Sequence, residues 1–211
     1  MKPNMKMSLR VVMLIVLMIS FLGCGKEEET KISNTSRISK SLYPFAFDKG
    51  SYWIYKEANS GILDSLEVQT ISRDSFAPPP THPGQGVQWY EEFYTVKYHS
   101  SLTGKFEEQL FGNAISRGLY HGGVVFLASK KVGDKTMNAE VIDLLDTLTI
   151  EKRTYKRVVK MKILEDLYLA GNFNLYFADS VGLIKKERTV NDEITETWNL
   201  IEFKTDLFRV N

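Results

Sequence analysis

The sequence predicts a mainly β protein: a single antiparallel meander domain, a curled half-barrel or a β-sandwich, with one or two short helices. Three observations carry this. From Tyr43 to Lys204 the apolar residues recur with a period of two rather than 3.6. The apolar runs are aromatic and β-branched, drawing on 12 Phe, 10 Tyr and 3 Trp, residue types that suit a pleated, half-buried surface. Short turn signals separate the runs, so successive strands pair as hairpins.

Taken in order, Ser51-Tyr-Trp-Ile-Tyr-Lys56 reads as a strand. Ala58-Asn-Ser-Gly61 turns it into a second, 62–72, with Ile62, Leu66, Val68 and Thr70 on one side. The loop 77–86 holds Pro78, Pro79, Pro80 and Pro83, and proline cannot donate to a ladder, so pairing stops there. In 87–99, Tyr90, Tyr94, Val96 and Tyr98 share one face, with Glu91, Thr95 and Lys97 on the other. Ser101-Leu-Thr-Gly104 leads to a hairpin partner, 105–115, and Val124 to Ala128 is a short apolar strand. The spacing of Ala139, Val141, Ile142, Leu144 and Leu145 predicts a short helix within 137–146. Tyr155, Val159, Met161 and Ile163 then alternate with polar neighbours. Residues 164–171 interrupt as a helical turn, and Phe173, Leu175 and Phe177 resume the alternation. Strands at 181–190 and 193–204 flank the two-residue turn Asn191-Asp192. About ten such strands bury one face and must close, curl or pack on something.

The N-terminus is of another kind. Lys2, Lys6 and Arg10 precede an apolar run, Val11 to Leu22, which Gly25-Lys26-Glu27-Glu28-Glu29 ends abruptly. A membrane-spanning helix needs about 20 apolar residues, more than this run supplies. Phe21-Leu22-Gly23-Cys24 resembles the lipobox of a bacterial lipoprotein signal peptide. Gly23 and Cys24 match, Phe21 stands in place of the usual leucine, and Leu22 is bulkier than the usual small residue. The resemblance implies cleavage before Cys24, acylation of Cys24, and attachment to the membrane through its acyl chains. Each buried acyl methylene contributes about 0.8 kcal/mol, so several chains hold firmly where one holds weakly. A plain secretory signal and an uncleaved anchor are the other readings of this segment. Lys26-Glu27-Glu28-Glu29 resembles the lysine-plus-acid signal that sends Bacteroidota lipoproteins to the cell surface; a solvated tether is the simpler reading of such a charge run.

The expected organisation is a signal peptide at 1–23, an acylated flexible tether at 24–42 and the β domain at 43–211. The expected location is the bacterial outer membrane, at its periplasmic face or the cell surface. Thr154-Tyr-Lys-Arg-Val-Val159, Asn174 to Glu187, Trp198-Asn-Leu200 and Phe47 to Tyr55, with Asp64-Ser65 after it, resemble segments of uncharacterised Bacteroidota-type outer-membrane lipoproteins. Some of those have curved sheets similar to periplasmic carriers of lipids and lipoproteins. On the residues alone, Gly182 permits a bulge or tight approach, and Val181, Leu183 and Trp198 belong to the core.

The chain carries 27 basic and 26 acidic residues, so no strong field recruits nucleic acid. Cys24 is the only cysteine; acylated, it leaves no disulfide, zinc-thiolate cluster or cysteine nucleophile. His82, His99 and His121 lack metal-ligand spacing. Gly-x-Ser-x-Gly does not occur, and Gly112, Gly118, Gly122 and Gly123 lie outside a phosphate loop. No catalytic residue, metal or cofactor is expected. Glu91-Glu92 and Glu107-Glu108 point to opposite faces within each pair, but across a hairpin Glu92 and Glu107 could form a hydrolase dyad. Trp89, Tyr90, Phe93 and Tyr94 are candidates for a ligand groove or for the core, with the Pro-rich loop as a lid. The expected function is a non-enzymatic, lipid-anchored binding module, its sharper form holding a hydrophobic ligand on the concave face. The alternatives are a surface adhesin or uptake-complex subunit, and an acid-pair hydrolase.

Overall fold

In a computed structural model describing residues 35–77, 90–117, 123–128, 131–136, 138–166, 171–191 and 193–209, the alternation resolves into one long sheet. Its strands are β1 (Thr35–Ser36), β2 (Tyr52–Glu57), β3 (Leu63–Phe76), β4 (Tyr90–Ser100), β5 (Gly104–Phe111) and β6 (Ala114–Arg117). They continue as β7 (Gly123–Leu127), β8 (Ala139–Ile150), β9 (Arg153–Asp166), β10 (Gly171–Ala178), β11 (Gly182–Val190) and β12 (Glu193–Lys204). The order across the sheet is β7-β6-β5-β4-β3-β2-β12-β11-β10-β9-β8. Two meanders, β2–β7 and β8–β12, are thus joined where the last strand pairs antiparallel with β2, Leu200 opposite Tyr55. Only β1 runs parallel to its neighbour, against the start of β4.

The sheet curls into a nearly closed barrel, which settles the choice between half-barrel and sandwich. Register shifts at Val68/Thr70, Tyr176/Phe177, Val141/Asp143 and Leu200/Glu202 insert single extra residues, and each bulge bends and twists its strand. The edge strands β7 and β8 meet as a result. Side chains bridge the seam: the Val124 N–H donates to Asn138 Oδ1 at 3.3 Å, and the Leu127 N–H to Met161 Sδ at 3.0 Å. Open edges template unwanted pairing, and these contacts cover part of the edge of β7.

Two expectations are corrected. Residues 139–150 are strand, not helix. The bulge between Val141 and Asp143 breaks the period of two, and an inserted residue turns i, i+2 spacing into an apparent i, i+3. In the same way β9 runs through Asp166, where a helical turn was expected; residues 167–170 lie outside the described residues. The fold also begins earlier than composition suggested. Within the stretch assigned to the tether, Ile38 is 3 % and Leu42 0 % exposed, and a 3-10 helix spans Lys40–Phe45. Ser39 caps it, its hydroxyl accepting the Ser41 N–H, while the Ser39 N–H donates to Gly112 O. This helix plugs one end of the barrel. Phe45 sits 4.5 Å from Phe126, which lies 4.6 Å from Phe177, ring centre to ring centre.

Candidate functional site

An eight-stranded barrel is just wide enough for its own side chains to fill, and wider ones leave space. With eleven strands in the curl, this interior has a filled end and an open one. The filled end is aromatic. The segment after the 3-10 helix lays Phe47 edge-on to Trp53 at 4.9 Å. Trp53 and Tyr55 reach across from β2, donating to the backbone oxygens of Val181 (2.5 Å) and Leu183 (2.8 Å). Gly182 makes this approach feasible. Its φ is +89°, and a Cβ there would stand 3.1 Å from the Phe47 ring, as expected of a glycine at a tight approach.

Above this floor lies a cavity of about 680 Å³. Its walls include Leu66, Tyr98, Phe106, Phe173, Leu175 and Trp198. It rises toward the end where the β2–β3, β4–β5 and β11–β12 turns lie, since Asp64, Ser100, Thr103 and Lys186 all line it. Five of the nine large apolar side chains exposed among the described residues sit on those hairpins: Ile62, Leu63, Leu102, Val190 and Ile194. Ile62 and Leu102 lie in the β2–β3 and β4–β5 turns themselves.

Most charged groups of the wall are already engaged. Asp64 Oδ1 accepts from Ser100 Oγ (2.8 Å), Ser101 Oγ (3.0 Å) and the Leu102 N–H (3.3 Å). Glu108 is bound by Arg117 at 2.9 Å, and the Arg117 guanidinium lies 4.2 Å over Phe106. Glu107 pairs with Lys97 at 3.1 Å. Burial first, and the Glu108 charge second, push the Tyr55 and Tyr98 hydroxyls well above the usual phenol range, so both stay neutral. Lys186 differs. It lies opposite Leu175 on one side and Trp198 on the other. Its Nζ stands 5.6 Å from the Phe173 ring centre and 5.3 Å from that of Trp198. Burial lowers its pKa, and the nearby Glu196 charge opposes the shift.

The candidates read from sequence scatter. Cys24, His82, Trp89 and His121 lie outside the described residues. His99 is exposed on β4. Among the described residues no group of three or more His, Cys, Asp or Glu is placed to hold a metal ion, and no helix is long and apolar enough to cross a membrane. Glu92 and Glu107 form no dyad. Glu107 is opposite Lys97, five residues from Glu92, a separation of about 17 Å at about 3.4 Å per residue, well beyond glycosidase spacing. Glu92 instead pairs with Arg73. Tyr94 is core, 5.7 Å from Phe208, and neither Tyr90 nor Phe93 lines the cavity. Trp198 and Leu183 do. Sequence reading missed Lys186, because Lys185-Lys186 alternates as a solvated strand face would; only the register with Leu175 and Trp198 turns Lys186 inward.

No family model and no curated protein matches this chain. Among solved structures it is similar to a protein of Bacteroides fragilis described as exported and as having a YmcC-like fold. The match has a TM-score of 0.45 and 12 % identity, and spans 75 % of this chain and 99 % of that one.

Proposed function

We propose that this protein is a non-enzymatic binding module of the bacterial envelope that holds a hydrophobic ligand inside its barrel, tethered to the outer membrane by acyl chains on Cys24. The observation that carries the binding reading is the lumen itself: about 680 Å³, within the roughly 300–1,000 Å³ of small-molecule sites. Its floor is built of aromatic rings, and its few polar groups are mostly paired with one another. Packed interiors seldom leave voids larger than a water molecule, so a space of this size, with Ile62 and Leu102 exposed in the turns at its open end, suits a guest that enters from an apolar surface.

A neutral fluorescent probe, phenylnaphthylamine, tests this with the purified full chain. Probe emission should rise on binding and fall back when Leu66→Trp fills the lumen. No enhancement, or the same enhancement in Leu66→Trp, removes the carrier reading. The anchor is tested separately by labelling cells with a fatty-acid analogue. Label retained by Cys24→Ala removes the lipid attachment, and protease shaving of intact cells distinguishes the cell surface from the periplasmic face.

A further inference from the structure

We infer that the guest is an amphiphile with an anionic head group, its carboxylate or phosphate held by Lys186 near the mouth and its hydrocarbon chain lying on the aromatic floor. This rests on the reading of the lumen as a binding site and adds the chemical class of the ligand.

Three observations support it. First, Lys186 makes no ion pair among the described residues, whereas the neighbouring wall carboxylates are engaged. Asp64 takes three donors, Glu108 is held by Arg117 and Glu107 by Lys97. Glu196, the acid whose charge bears most on Lys186, accepts the Trp198 indole N–H. Second, the ammonium sits between the rings of Phe173 and Trp198. Cation–π attraction returns only part of what water gives an ammonium, so a cation held there gains from an anion brought to it. Third, the lumen is polarised. Charged groups line its upper wall, and Phe45, Phe47, Trp53 and Phe177 line its lower part, an arrangement that matches a head and a tail. Ionised groups are costly to leave unpaired away from water, and a guest supplying the anion satisfies Lys186 as it fills the apolar space.

The test compares hexadecanoate, hexadecyl phosphate and uncharged hexadecanol, each competing with phenylnaphthylamine on the full chain. The same tail on three heads isolates the head group. A charge-assisted contact is expected to favour an anion over the alcohol by about tenfold to a hundredfold. Either anion showing that preference supports the inference, and the ratio between the two identifies the head group. Lys186→Met, which keeps the aliphatic stem against Trp198, should lose the preference for the anions over hexadecanol. Lys186→Arg should keep it. Equal binding of acid and alcohol by the wild type, or an undiminished preference in Lys186→Met, overturns the inference while leaving the lumen a hydrophobic site. Binding of none of the three overturns both readings. The wild-type comparison and Lys186→Arg decide the matter even where Lys186→Met does not fold.

Discussion

Alanine at Gly182 should destabilise the barrel more than alanine at Gly50, and the difference measures how tightly the floor is packed. The two glycines have nearly the same backbone, φ +89° and +87°. Both substitutions therefore carry the cost of a left-handed conformation, about 1–2 kcal/mol. Their surroundings differ. A Cβ at residue 50 meets nothing within 4 Å, whereas one at residue 182 stands 3.1 and 3.2 Å from two Phe47 ring carbons and 3.7 Å from Trp53 Nε1. Carbon atoms prefer about 3.5–4.0 Å. Phe47 is only 4 % exposed and is wedged against Trp53, so it has little room to retreat. Overpacking of this kind costs about 1–3 kcal/mol, which places Gly182→Ala near 2–5 kcal/mol and Gly50→Ala near 1–2. Urea unfolding followed by tryptophan fluorescence gives both values. Adding Phe47→Leu to Gly182→Ala should recover part of the loss, a coupling that a double-mutant cycle reads directly. Equal destabilisation by the two alanines, within about 0.5 kcal/mol, would show that the floor is not packed as described.

Further outcomes follow from other parts of the molecule. Leu42→Ala should cost about 2–5 kcal/mol in the same unfolding assay, and the exposed Lys40→Ala no more than about 0.5, because residues 35–42 belong to the fold. Glu57 accepts the Ser60 and Asn59 backbone N–H groups, and these, led by Ser60, hold its pKa at about 2 against an ordinary 4.5. Its stabilising effect is therefore complete above pH 4.5 and is lost as the pH falls toward 2. Glu57→Gln should be less stable than wild type at neutral pH, with the gap closing over that window in urea midpoints. On the outer face, burial raises the pKa of Glu187, but its bonds to Lys185 (2.6 Å), Tyr176 (2.9 Å) and Asn174 outweigh this and keep it low. Tyr176→Phe, which removes one donor, should cost about 1–3 kcal/mol at neutral pH. On the carrier reading, Leu102→Glu at the mouth should slow transfer of hexadecanoate from neutral vesicles without changing its affinity, as stopped-flow fluorescence would show.

The hairpins were legible because their signals are local. The alternation in 51–56 and 62–72 matches the observed pairing of Tyr52 with Glu67 and Lys56 with Leu63. Asn191 adopts a positive φ of 49° in a turn whose length is set by Val190 opposite Glu193. Where a turn lacks its usual residues, the reading failed. Glu151 takes φ 54° in the two-residue turn between Ile150 and Arg153, a conformation glycine or asparagine ordinarily supplies. With that turn unseen and a bulge at Val141/Asp143, the hairpin of β8 and β9 passed for a helix and a lone strand. Of the two readings of Tyr90, Phe93 and Tyr94, groove or core, the structure makes Tyr94 core; aromatic content marks a buried face but not whether that face is filled.

By itself, the sequence determined the antiparallel β class, the hairpin order and the special place of Gly182, since pleat, turn and φ are properties of a few consecutive residues. The tertiary structure decided the rest. Pairing of β12 with β2 brings together residues about 150 positions apart, and bulges in separate strands sum to a closed curve; neither is written in any local window. That closure creates the lumen and draws Ile38 and Leu42 into the core, while strand register separates Glu92 from Glu107 and sets Lys186 beside the rings of Phe173 and Trp198. Strand pairing, and not local alternation, faces Lys186 into that lumen, because the rings beside it come from β10 and β12.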